Sequence, residues 1–74
     1  DMPDVDFELR GEHVELHALL KLVGAADSGG QGKALVAAGR IEVDGQPETR
    51  KAAKIRAGQV VTCDGLRIHV KAPA

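Results

Sequence analysis

Three groups of residues have the types and spacing to do chemistry. The stretch DSGGQGKA at positions 27–34 sets Ser28, three glycines and Lys33 together, the composition of a phosphate-cradling loop. Such loops read G-x-x-x-x-G-K-[ST] between a strand and a helix. With Gly32 and Lys33 as the Gly-Lys pair, the first glycine position holds Asp27 and the hydroxyl position holds Ala34. An acid would face the phosphates and no hydroxyl would hold magnesium, which argues against nucleotide hydrolysis. A second group, Arg50, Lys51, Lys54 and Arg56, puts four cations into seven residues with no acid among them. The third is His13 with His17, at the spacing of a helical metal pair. A zincin needs Glu directly after the first His and a third ligand. Here Val14 follows His13 and the remaining histidine is the distant His69, so both are expected as surface side chains.

Catalysis finds no support. Cys63 is the single cysteine, which excludes an internal disulfide and a thiolate zinc site. It stands in an alternating apolar segment, where a small buried residue is the usual outcome. No nucleophile triad is present, and a chain of 74 residues makes one thin domain with little room for a water-excluding pocket. The expectation is a non-enzyme without cofactor, metal or small-molecule substrate.

The elements that must position these groups follow from periodicity. Between His13 and Val23, apolar residues at Leu16, Leu19, Leu20 and Val23 mark one face of a helix. Gly24 is the expected terminator. Ser28 then serves as N-cap with Gln31 at N3, a capping box. Leu35, Val36 and Ala38 face the core of this second helix, which Gly39 ends. Its early glycines each cost up to about 1 kcal/mol relative to alanine, which predicts a close backbone approach. Lys33 sits on the first turns, where free N–H groups and the dipole favour an anion. Ser28 either donates its hydroxyl there or only caps, and Lys21 either complements its own helix dipole or joins the same surface.

After Gly39 the period becomes two. Ile41 and Val43 point inward, Asp44-Gly45 and Asp64-Gly65 are hairpin signals, and Leu66, Ile68 and Val70 alternate with Arg67 and His69. Pro47 fits only a sheet edge. Residues 1–12 are expected to be a loose acidic leader and residues 13–72 a single domain.

The formal net charge of −1 conceals an asymmetry. Residues 1–20 carry −5 and residues 21–74 carry +4. Such asymmetry suggests an anionic partner, with a solvated surface as the alternative. Phe7 is the single aromatic residue, so stacking of splayed bases is disfavoured. No apolar run approaches the ~20 residues of a membrane span. With no signal-peptide pattern at the start, a cytoplasmic location is expected.

The ordered run SGGQGKALVAAGRIEVDG resembles the signature of the small-subunit ribosomal protein S-four RNA-binding domain. The matching positions are Ser28, Lys33, Leu35, Val36, Gly39, Ile41, Val43 and Gly45. Downstream, KIRAGQVV is similar to the family's Lys-aliphatic-x-x-Gly-Asp-x-Val element at Lys54, Ile55, Gly58 and Val61. The resemblance spans residues 13–70 and is strongest for stand-alone bacterial members. It implies an α+β fold, the alpha-L motif, with two N-terminal helices packed on a small antiparallel sheet of short hairpins. It also implies a monomeric module that grips structured RNA of the ribosomal or transfer class. The RNA-binding residues it implies are Lys21, Ser28, Lys33, Arg50, Lys51 and Lys54. Gly29 stands where many members have Arg, removing one phosphate contact, while Gly32 replaces Ala, Asp44 replaces Asn and Gln59 replaces Asp. The alternatives are a small β-grasp carrier, disfavoured because the chain ends KAPA instead of Gly-Gly, and a protein-binding adaptor with an exposed apolar patch.

Overall fold

The computed structural model describes residues 3–74. The chain runs β1 (Asp4–Glu8), β2 (Val14–Glu15), α1 (Leu16–Leu22), α2 (Gly29–Ala37), β3 (Ile41–Val43), β4 (Gln46–Pro47), β5 (Lys54–Ile55), β6 (Val60–Cys63) and β7 (Leu66–Lys71). Five strands form one sheet in the order β1-β7-β6-β3-β4, and β2 pairs with β5 in a second, two-stranded sheet. The class is α+β, as expected, but the helices are preceded by two strands and the large sheet is mixed. Its β3–β4, β3–β6 and β6–β7 pairs are antiparallel, whereas β1 runs parallel to β7.

Strand β1 corrects the loose leader. Residues 4–8 read DVDFE, with Val5 and Phe7 partly buried against the core and the acids outward. In the parallel register Asp4 lies opposite Arg67, Asp6 opposite His69 and Glu8 opposite Lys71. Each acid thus faces a cation or histidine, a favourable cross-strand pairing. Leu9 follows fully inside the core, its N–H donating to the Lys71 carbonyl at 2.9 Å. Asp4 pairs with Arg67 at 2.9 Å and with His69 at 2.7 Å, while Val5, Phe7 and Leu9 supply the apolar contact that docks the strand.

The turns form as their residues require. Asp44 and Gly45 have φ of 51° and 81°, and Asp64 and Gly65 have φ of 48° and 86°. Two consecutive positive φ values match the twist of the flanking strands. Pro47 occupies the edge strand β4, where its missing N–H costs no ladder bond. Leu16, Leu19, Leu20 and Val36 from the helices join Ile41, Ile55, Val61, Ile68 and Val70 from the strands in one buried cluster with Cys63. Leu35 packs at its border, while Ala38 is exposed.

Helix α1 starts at Leu16, the first residue of its apolar face, and does not reach back to His13. Val14 and Glu15 pair instead with Ile55 and Lys54, so His13 lies outside the helix and shares no helical face with His17. Among the described residues, no helix is long and apolar enough to cross a membrane.

Candidate nucleic-acid interface

Ser28 is the N-cap of α2, its hydroxyl oxygen accepting from the Gln31 N–H at 3.1 Å. The Gln31 side chain reaches back to the Asp27 N–H, one residue before the expected capping-box partner. The Ser28 hydroxyl is therefore a cap first, and Lys33 stands exposed one turn further on.

The glycines of this stretch separate by role. A Cβ built on Gly32 would lie 2.6 Å from the His17 carbonyl oxygen, so α2 crosses α1 at backbone contact there. One on Gly29 would come 4.0 Å from His17 Cδ2, and one on Gly30 would meet only Ser28 Oγ at 3.8 Å. The close approach expected from the glycine run exists, and at Gly32 it is made to helix α1.

The second cationic stretch is seated on the same residue. Helix α1 has no side-chain cap at Glu15, and its first N–H groups need acceptors from elsewhere. The loop supplies them: Leu16 N–H donates to the Ala53 carbonyl and His17 N–H to the Lys51 carbonyl, both at 2.9 Å. The His17 ring adds a third bond, Nδ1–H donating to the Lys51 carbonyl at 2.8 Å. Ala53 and Ile55 turn inward, at 8% and 1% exposure, and leave Lys51, Lys54 and Arg56 in solvent. An open depression of about 420 Å³ lies between Arg50, Ala52, Ala53 and Lys54.

The cations are not equally available. Glu48 holds Arg50 by two side-chain bonds, Nε to Oε2 at 3.0 Å and Nη2 to Oε1 at 3.1 Å, and also accepts from the Arg50 N–H. Hydrogen bonding to Arg50 keeps the Glu48 carboxyl below its ordinary range and raises the guanidinium in turn. The stretch 50–56 contains no acid of its own, but Glu48, two residues upstream, neutralises its first cation. No described carboxylate forms an ion pair with Lys21, Lys33, Lys51 or Lys54. Lys21 stands in the last turn of α1, one turn beyond His17 on the same side of the helix. The structure thus brings the α2 start, the 51–53 loop and the Lys21 side of α1 around His17.

Sequence reasoning missed Glu48 and His17. The i, i+2 spacing of Glu48 and Arg50 carries no signal outside regular structure. The role of His17 depends on a partner 34 positions away. Among the described residues no group of three or more metal-ligating side chains converges.

An S4 domain spans residues 7–71, and the chain belongs to that family. It is 52% identical over 60 residues to the YbcJ protein of Escherichia coli (strain K12), covering 81% of this chain and 86% of that one. The same figures hold for the YbcJ protein of Shigella flexneri. It is also similar to the solution structure of Escherichia coli YbcJ, with a TM-score of 0.69 and 44% identity over 97% of this chain and 90% of that chain. That structure is described as revealing an alpha-L motif involved in RNA binding.

Proposed function

We propose that this protein is a non-catalytic RNA-binding module that grips the phosphate backbone of a folded RNA, of the ribosomal or transfer class. Lys21, Lys33, Lys51 and Lys54 supply the charge, Ser28 shapes the α2 start, and Arg50 joins when it leaves Glu48. The observation that carries this reading is the meeting at His17 of the α2 start, which bears Lys33, and the cationic 50–56 stretch, far apart in sequence, within an S4-domain chain. Phe7, the single aromatic residue, packs against the core, so no platform is offered for base stacking. Shape and phosphate contacts remain, which suits folded RNA. The protein acts as a monomer in the cytoplasm on this reading.

The test is affinity for bulk transfer RNA against salt, with poly-uridylate as the single-stranded control. Four phosphate contacts give a slope of log K on log salt of roughly −3 for a single strand and nearer −4 for duplex-rich RNA. A slope near zero with both probes would remove the proposal. A protein-binding adaptor has one observation in its favour: Leu22 is 62% exposed beside an apolar depression that includes Phe7 and Val14. No RNA binding by wild type, with a protein partner bound by wild type and lost in Leu22→Ser, would favour that second reading.

A further inference from the structure

Imidazole is an unusual choice for the place where two cationic segments meet. His17 is exposed in only 18% of its side chain, so it is poorly placed to be a phosphate ligand itself. Its backbone carbonyl lies under Gly32 of α2, its ring edge lies near Gly29, and its Nδ1–H bonds the Lys51 carbonyl. The Lys51 carbonyl accepts twice from this one residue, from the ring and from the His17 N–H. Because a carbonyl can only accept, Nδ1 must carry the proton, and Nε2 is left facing Glu15 Oε1 at 3.9 Å. A carbonyl held by both the backbone N–H and the ring of one residue gives the loop a single orientation relative to α1, and through Gly32 to α2. Without the ring, the Lys54–Ile55 end stays tethered by its pairing with β2, while the Lys51 end keeps just the His17 amide bond.

We infer that His17 is the positioning residue of this interface: its ring bond to the Lys51 carbonyl holds Lys51 at a fixed distance from Lys33, beside Lys54 in its β2–β5 pairing, so that a rigid run of phosphates can meet all three. The inference rests on the RNA-binding reading of this face. It assigns His17 no direct RNA contact. What the side chain contributes is geometry, by sparing RNA the ordering of a loose loop at the moment of binding.

The experiment compares wild type, His17→Ala, His17→Asn and Lys33→Glu with bulk transfer RNA across a salt series. Asparagine can place an amide N–H near the position of Nδ1, so it restores the donor without the ring. His17→Ala should weaken binding about three- to tenfold, the equivalent of one hydrogen bond. It should also flatten the salt slope by roughly 1, as Lys51 ceases to act with Lys33 and Lys54. His17→Asn should recover most of both changes. In the free protein, amide exchange at His17 and Ala53 should quicken in His17→Ala while Gly32 stays protected. Quickened exchange with unchanged affinity and slope would overturn the positioning role while leaving the interface intact. Full binding by Lys33→Glu would instead overturn the interface itself. A general loss of protection in His17→Ala that His17→Asn does not repair would make His17 a packing residue, and the inference would fail.

Discussion

The carbonyl oxygen of His17 lies 2.6 Å from where a β-carbon on Gly32 would stand, closer than real Cβ contacts come. The atom in the way is backbone, which cannot rotate aside. The two helices can cross at this distance only because position 32 has no side chain.

Gly32→Ala should therefore destabilise the fold by about 1–3 kcal/mol, the range for overpacking a tight site. Gly30→Ala is the paired control, since its Cβ would make an ordinary 3.8 Å contact with Ser28 Oγ. It should be neutral or stabilising by up to about 1 kcal/mol through helix propensity. Urea unfolding of both variants decides the matter, and equal midpoints would refute the backbone-contact account.

Charge reversal at Lys33 or Lys54 should each cut RNA affinity by about tenfold or more, because repulsion replaces a phosphate contact. Arg40→Gln makes a suitable control: it opens the exposed Arg40–Asp64 pair beyond the far end of α2. Arg67 would be a poor control, since its guanidinium holds Asp4 at 2.9 Å. Equal affinities for wild type, Lys33→Glu and Lys54→Glu would reduce these lysines to ordinary solvated surface.

Releasing Arg50 should strengthen binding. In Glu48→Gln the guanidinium loses its charged partner and becomes available to a phosphate. The guanidinium end of the pair is exposed, where ion pairs contribute little, so the expected gain is up to about fivefold, with a steeper salt slope. Weaker binding in this variant would show that Glu48 serves the interface by orienting the loop.

Strand β1 should respond to acid. The Asp4 carboxyl is held below its ordinary value of 3.8, first by its hydrogen bond to His69 and then by that to Arg67. A depressed folded-state pKa means that the stabilisation is present above 3.8 and is lost as pH falls through the lowered value. Asp4→Asn should melt below wild type at about pH 7, and the two melting curves should converge as pH falls through the lowered Asp4 value, below 3.8. The Leu9 amide should also exchange faster in the variant at neutral pH. A melting difference that is the same at every pH would assign it to packing instead.

Local signals in the sequence were faithful guides. Asp44-Gly45 and Asp64-Gly65 make the turns they predict, the alternation of Leu66, Ile68 and Val70 sets the inward face of β7, and Ser28 caps α2. What escaped was non-local. Val14 and Glu15 run straight into the apolar face of α1 and read as its first turn, but Ile55 and Lys54 capture them as a strand. Asp4, Asp6 and Glu8 read as solvated until the cations they face are known, and those lie more than 60 positions away. The cationic cluster was legible as composition, whereas the pairing of Arg50 with Glu48 and the seat on His17 required coordinates.

The β1–β7 pairing also bears on the order in which the chain folds. Joining Asp4 to Arg67 closes a loop through nearly the whole described chain, whereas the two tight hairpins each close over a few residues. Closure entropy rises with loop length, and contacts of high sequence separation form slowly. The hairpins can therefore form early, with β1 zipping onto a β7 edge that is already in place. Until then that edge is an open template for any other strand, and the bonds of Asp4 to Arg67 and His69 favour the native partner in its native register.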